Sequence, residues 1–294
     1  MEIIEISTFF YIIFSSVQIG LIYALVSIGF NLLYSSTKII NVAYGEFITI
    51  GAFVAYWLFV LYAIPPTLSI FVAVAALVLI SLPLYQILLK RLLESKSVEY
   101  IEIWGVIITF GLSIMLQGFM AFVWSAQSRG YSYLDQVVEI FSLTFMLNKI
   151  LTIIISAIMV LVLYYFLFRT DLGISMRSVI QDPELAETIG LEMNKIFLLS
   201  FLLSSIIAGI AGVLLSMSFE IHPFMGSTYL ILAFIVTAVG GIGNPIGSFI
   251  GGLLLGALNV LIGYTVGPSL NLFIIYALLV ALLIVRPKGL LGGG

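Results

Sequence analysis

Cysteine is absent from this chain of 294 residues, histidine occurs once, and charged side chains make up only 9% of it. Each shortage removes a class of function. Without cysteine there are no disulfide staples, no thiolate metal sites and no thiol nucleophile. The single imidazole, His222, stands in a short stretch with Glu220 and Pro223; alone it completes no metal site, and with no Cys to accompany it a triad or redox centre has no material. No lysine directly follows a glycine, which excludes the Gly-x-x-x-x-Gly-Lys-Ser/Thr phosphate loop. The formal charge of −3 is too small to imply nucleic acid, and no cofactor or metal is expected.

What the chain has in excess is apolar surface. Hydrophobic residues reach 62% and the mean hydropathy is +1.26, whereas a soluble domain carries about 25% charged residues. No water-soluble fold hides that much, so the unit to count is the membrane span of about 20 residues. Cutting at charges, Pro and Gly gives nine stretches: Ser7–Leu33, Ala43–Ala63, Leu68–Leu89, Ile103–Trp124, Ile150–Phe168, Ile196–Met217, Tyr229–Val239, Ile246–Gly263 and Leu270–Val285. The expected fold is an all-α integral membrane bundle, one transmembrane domain over residues 1–294 with about eight or nine segments. Tyr229–Val239 is short: either a half-helix turning back at Gly240-Gly241-Ile242-Gly243-Asn244-Pro245, or a crossing that borrows flanking residues. Acids open the chain at Glu2 and Glu5, where a cleaved leader would carry Lys or Arg, so the first stretch reads as a retained span.

Basic residues set the sidedness, because cytoplasmic loops are enriched in them. With the N-terminus outside and nine crossings, Lys38, Lys90, Arg91, Lys96, Arg169, Arg177, Lys195, Arg286 and Lys288 fall inside, and only Arg129 and Lys149 outside. This places the C-terminus in the cytoplasm. Two loops are long enough to have structure of their own: Ser125–Lys149 outside, a docking surface or a partly ordered connector, and Arg169–Lys195 inside.

The inner loop carries a complete set of helix punctuation. Asp182 can N-cap, Pro183 suits the first helical position, Glu184 favours the positive dipole end, and Gly190 can end the helix in a left-handed conformation. Leu185 and Ile189 share one face of the resulting two-turn helix, and a helix so short gains its stability from packing. Its dock is either a soluble cytoplasmic subunit or its own bundle. Inside the apolar stretches, Glu46 is the only formally charged residue, in Asn41-Val42-Ala43-Tyr44-Gly45-Glu46. Such a charge is a site hypothesis by default; against it stand a simple preference for a helix N-terminus and a place in the headgroup region. Asn31, Gln117 and Asn259 read as interhelical hydrogen-bond partners. Late glycines form two small-xxx-small frames, Gly247 to Gly251 and Gly252 to Gly256, offset by one residue and so not one stripe; they fit close helix packing or a moving interface.

In sum these motifs resemble the permease subunits of ABC importers for branched-chain amino acids, especially the shorter permease. The likeness rests on Asn41 to Glu46, on Arg177-Ser178-Val179-Ile180-Gln181-Asp182 followed by Ala186, Gly190 and Leu191, on Ala238-Val239-Gly240-Gly241-Ile242-Gly243-Asn244, on Gly247 through Gly256 and on Arg286-Pro287-Lys288-Gly289-Leu290. They occur in the right order over almost the whole chain. The family commonly has His where Tyr44 stands, so no imidazole role beside Glu46 carries over. The resemblance implies a non-catalytic transport subunit, multi-pass in a prokaryotic cell membrane. Its partners would be cytoplasmic ATP-binding subunits, a second permease chain and an extracytoplasmic binding protein. Arg177, Gln181, Asp182, Pro183, Glu184, Leu185, Ala186, Glu187, Ile189 and Gly190 would form the coupling segment. Asn41, Tyr44, Glu46, Gly240, Gly241 and Asn244 are candidates for the translocation path. Weaker likeness to permeases for urea, amides and sugars leaves the solute open, and an ion-coupled carrier is the alternative in kind.

Overall fold

The computed structural model describes residues 2–94, 97–140, 143–285 and 289. The chain is an all-α polytopic membrane protein. In order, the helices are α1 (Glu2–Thr37), α2 (Tyr44–Tyr62), α3 (Pro66–Leu93), α4 (Val98–Trp124), α5 (Leu147–Arg169), α6 (Asp171–Gln181), α7 (Pro183–Thr188), α8 (Met193–Ser216), α9 (Met225–Gly240), α10 (Pro245–Thr265) and α11 (Pro268–Val285), with a hairpin of β1 (Val137–Ile140) and β2 (Leu143–Met146) before α5. Among the described residues seven helices, α1 to α5, α8 and α10, are long and apolar enough to cross a membrane. The hairpin marks one end of the bundle and α6 with α7 mark the other.

Helix boundaries follow local chemistry. Pro66, Pro183 and Pro245 open helices, where a missing N–H costs nothing. Inside α3, Pro83 is followed by a π turn over Tyr85–Leu89, the adjustment expected where a proline interrupts the i to i−4 ladder. Ser97 caps α4 by accepting from the Tyr100 amide.

Packing is set by glycine. On α10 the two frames serve two neighbours: a Cβ on Gly247 would strike Gly240 of α9, while Cβ atoms on Gly252 and Gly256 would strike Ala24 and Gly20 of α1. The one-residue offset thus aims two small-residue faces at two helices, and close packing is what the frames do. At the crossing of α2 and α8, a Cβ on Gly51 would meet the Gly209 carbonyl and one on Gly212 the Ile48 carbonyl. Without a hydrophobic drive between helices in lipid, this backbone approach is the main source of association.

The chain between α1 and α2 folds back into the protein. Lys38 adopts φ 60°, reversing direction, and residues 39–43 climb beside α4. The Val42 amide donates to Thr109 Oγ1 at 3.1 Å, and Thr109 Oγ1 donates to the Ile40 carbonyl at 3.1 Å. Tyr44 Oη donates to the Val26 carbonyl at 2.7 Å, about three turns from the α1 end. α2 therefore begins in the interior, a placement lipid tolerates only where irregular backbone is buried in protein.

The short stretch near Tyr229 is one helix over Met225–Gly240 whose following turn lies at the α6–α7 end: a Cβ on Gly243 would stand 3.1 Å from Ile180 Cγ2 of α6. It does not turn back halfway, and its brevity lies at its start, where Gly226 abuts Gly45 of α2. α10 returns toward the hairpin end. Gly289 comes back beside Val239 and Gly241, so α11 leads to the α6–α7 end.

Candidate functional site

Residues 169–195 form a helical pair where the sequence marked one short helix. α6 is capped by Thr170, whose hydroxyl accepts from the Gly173 amide at 3.1 Å. Met176 and Val179 bury against Leu32 and Leu167. The spacing Gly173, Met176, Val179, Ile180 is a helical stripe, a signal present in the sequence but overshadowed by the punctuation beyond it. Arg177 is engaged within the chain. Its Nε donates to the Leu167 carbonyl at 2.9 Å and its guanidinium lies 4.3 Å from the Phe168 ring, tying α6 to the end of α5.

α7 has the predicted caps. Asp182 Oδ1 accepts from the Leu185 amide at 3.0 Å. Gly190 takes φ +91°, with Leu191 N donating to the Ala186 carbonyl and Gly190 N to the Glu187 carbonyl, the paired bonds of a Schellman ending. Ala186 is 2% exposed and packs on the bundle, whereas Leu185 and Ile189 are 60% and 67% exposed. One face of α7 therefore rests on the protein and the other is uncovered. Gln181, Pro183, Glu184 and Glu187 are exposed around it. A cleft of about 840 Å³ separates α7 from the ends of α3 and α4, with Lys38, Glu94, Glu184 and Glu187 on its walls.

The path candidates fall into two groups hung on one stretch of α1. Asn31 is the hub of the inner group. Its Nδ2 donates to Ser248 Oγ at 2.8 Å and to the Gly241 and Asn244 carbonyls at 3.3 Å, and its Oδ1 accepts from the Gly243 amide and Ser35 Oγ, both at 2.8 Å. Asn244 in turn caps α10 by accepting from the Gly247 amide at 3.0 Å. Gly240 and Gly241 are buried in this pinned turn. The second group, Asn41, Tyr44 and Glu46, is in the interior at 1%, 0% and 1% exposure. Tyr44 reaches α1 at Val26 and lies edge-on to Phe30, one residue before Asn31. The sequence named Asn31 only as an interhelical partner, and it is one.

Glu46 sits in the first turn of α2 and is buried at 1% exposure, so water does not reach it. Glu46 Oε1 accepts from Gln117 Nε2 at 2.7 Å and from Ser113 Oγ at 3.1 Å, about five turns into α4. Glu46 Oε2 and Asn41 Nδ2 are buried without a hydrogen-bond partner. Thr109, Ser113 and Gln117 recur every fourth residue, a polar stripe on an otherwise apolar helix that the sequence reading missed.

At the hairpin end residues 125–140 and 143–149 are held by specific contacts. Arg129 pairs with Ile221 through both backbone bonds at 2.8 Å, donates from Nη2 to the Trp124 carbonyl at 3.0 Å, and lies 5.0 Å from the Trp57 ring. Tyr131 and Ser216 share a hydrogen bond at 2.8 Å, and burial pushes the Tyr131 hydroxyl up to about 12, leaving it a neutral donor. The loop ends earlier than drawn from the sequence, since α5 starts at Leu147.

Among the described residues no three His, Asp or Glu gather in a metal-binding cluster. A lipid-embedded bundle pinched by glycine, with a polar node on α1 and a helical pair offering an uncovered apolar edge at one end, defines a multi-pass membrane permease. The profile of branched-chain amino acid transport system permease components matches residues 12–283, and the chain belongs to that family. It is 30% identical over 286 residues to a probable branched-chain amino acid transport permease protein of Methanocaldococcus jannaschii, covering 91% of this chain and 88% of that one. It is 28% identical over 291 residues to the high-affinity branched-chain amino acid permease protein LivH of Escherichia coli K12, and 27% over 302 residues to BraD of Pseudomonas aeruginosa, each covering 95% of this chain and 94% of the relative.

Proposed function

We propose that this chain is the non-catalytic membrane subunit of an ATP-driven importer for branched-chain aliphatic amino acids, crossing the cell membrane nine times with its N-terminus outside and its C-terminus in the cytoplasm. The basic residues support that orientation: Lys38, Lys90, Arg91, Arg169, Arg177 and Lys195 collect toward the α6–α7 end, and Arg129 and Lys149 toward the hairpin. Lys96, Arg286 and Lys288, and with them most of the C-terminal motif Arg286 to Leu290, lie outside the described residues. The family and the named relatives support the substrate class. The partners are two cytoplasmic ATP-binding subunits, a second permease chain and an extracytoplasmic binding protein.

The observation that carries the coupling role is the exposure of Leu185 and Ile189 on a six-residue helix, which gains stability only against a neighbour. A contiguous route leads inward from it. α7 packs through Ala186 onto the cluster of Met176 and Val179; Ile180 touches the Gly243 turn; Asn31 holds that turn; and α1 meets Tyr44 one residue earlier. A push on α7 thus reaches the start of α2 through packed elements, with the pinned turn and the interior start of α2 as the two parts able to rearrange around a path.

The test is reconstitution of the complete transporter carrying the double change Leu185→Ala and Ile189→Ala. ATP-driven leucine uptake is expected to fall at least ten-fold, as for loss of a small anchor cluster worth about 1.4 kcal/mol or more, with membrane insertion unchanged. Wild-type uptake by the variant would overturn the coupling role. Uptake by the wild type that ignores ATP and follows an ion gradient would overturn the importer reading.

A further inference from the structure

The pinned turn, the interior start of α2 and the helical pair leave one polar cavity unused. It lies at the hairpin end, where the first turns of α1 meet the start of α5 and the facing ends of α10 and α11, and encloses about 350 Å³, within the range of small-ligand pockets. Its polar wall is made of Tyr11, Ser15, Gln18, Lys149, Asn259 and Asn271, and Ile19, Phe219 and Val260 supply apolar surface. Among the described residues no carboxylate lines it.

The polar groups divide by type. Lys149 Nζ is the one cation among the described residues of the wall; it donates to Tyr11 Oη at 3.0 Å and lies 5.0 Å from that ring, at the mouth. Gln18, 2% exposed, donates from Nε2 to Ser218 Oγ at 2.9 Å. Deeper in, Asn271 Nδ2 donates to the Asn259 carbonyl at 3.1 Å and to Asn259 Oδ1 at 3.2 Å, while Asn259 Nδ2 donates to Tyr23 Oη at 3.0 Å. This chain of amides fixes the Asn271 side chain and leaves its Oδ1, a buried acceptor, without a partner. Ser15 Oγ, also buried, lies toward Tyr11. A buried acceptor left unmade costs about 1–3 kcal/mol, so a donor from outside the chain is the natural complement.

A cation, an orphan carbonyl acceptor and an apolar wall lining one cavity are the complement of an α-amino acid: carboxylate, ammonium and aliphatic side chain. From this we infer that the cavity is a binding site for an aliphatic α-amino acid zwitterion on the outer side of the permease. Lys149 and Tyr11 take the carboxylate, Asn271 Oδ1 and Ser15 Oγ take the ammonium, and Ile19, Phe219 and Val260 cover the side chain. The inference rests on the transport reading above and adds a receiving site to it, where solute released outside is held before the interior path opens.

The experiment measures leucine binding to the whole transporter in nanodiscs without the binding protein, against two analogues that each lack half of the zwitterion: leucinamide, with no carboxylate, and 4-methylpentanoate, with no ammonium. The wild type is expected to prefer leucine to either by at least ten-fold. Lys149→Gln should erase the preference over leucinamide alone, and Asn271→Leu the preference over 4-methylpentanoate alone. Equal binding of all three ligands by the wild type, or leucine selectivity unchanged in both variants, would overturn the site. ATP-driven leucine uptake by the same preparation, supplied with the binding protein, separates the two claims: where uptake is intact and selectivity absent the site alone falls, and where wild-type uptake is absent the transport reading falls and takes the site with it.

Discussion

Two sets of helices in this bundle obey opposite rules. α2 is the least apolar of the seven long helices, yet 61% of its 18-residue apolar stretch is buried; in α3 and α5, the most apolar, only 22% of the corresponding stretch is. In water the order would be reversed. In lipid an aliphatic side chain gains little by leaving the solvent, so burial goes to the helices that let backbones touch and polar groups find partners. α2 does both: Gly45 and Gly51 admit Gly226 and Gly209, and Glu46 finds Ser113 and Gln117. α3 and α5 present Phe71, Leu79, Leu161 and Tyr165 outward, the large apolar surface that acyl chains cover.

The largest test of this contrast is at the crossing of α2 and α8. Replacing Gly212 by Leu forces its side chain into the Ile48 carbonyl and the Ala52 amide, neither of which is a flexible chain end. Overpacking costs about 1–3 kcal/mol where side chains can give way; against backbone on both sides we expect at least about 3 kcal/mol. Thermal unfolding of the solubilised complex should show the loss, or no folded complex should be recovered. A Gly212→Leu protein with wild-type stability would mean that the two helices are not in contact in the membrane.

A smaller effect is expected at Glu46. Glu46→Leu removes the acceptor that Ser113 Oγ and Gln117 Nε2 share, leaving Gln117 only its bond to Ser113 Oγ. Interhelical hydrogen bonds in membrane proteins average about 0.6 kcal/mol with a maximum near 1.7 kcal/mol, so the pair predicts about 1–2 kcal/mol. Glu46→Gln keeps an acceptor in place and should lose less than half of that. If the two variants unfold alike, hydrogen bonding to α4 is not what holds the start of α2.

How much of this was legible in the sequence follows the same division. Features fixed by neighbours in the chain were readable: Asp182, Pro183 and Gly190 specify α7 by local capping chemistry, and the offset of the two glycine frames on α10 already implied two faces. Features fixed by distant segments were not. Nothing local in Lys38 to Ala43 says that the chain re-enters the protein, because that depends on Thr109 and Val26 to receive it. The burial of Glu46 was left open for the same reason, although the four-residue recurrence of Thr109, Ser113 and Gln117 announced a polar stripe in search of a partner. The loop Ser125–Lys149 was read as long enough to have structure of its own, but its hairpin of β1 and β2 was not named, because strands of only four residues each leave little pattern.

The smallest expected effect is on the lipid-facing side. Gly111 of α4 has no atom within 4 Å of where a Cβ would stand, so the argument from close packing does not apply there. In a helix interior Gly is less stable than Ala by about 0.5–1 kcal/mol; Gly111→Ala should therefore leave stability unchanged or raise it by that much, and Gly111→Leu should stay within about 0.5 kcal/mol of the wild type. The measurement is the same thermal unfolding of the solubilised complex. A loss at Gly111 comparable to that at Gly212 would mean that α4 is covered in the assembly by protein, the second permease chain being the available candidate, and the division into an interior and a lipid-facing set would have to be redrawn with α4 on the other side.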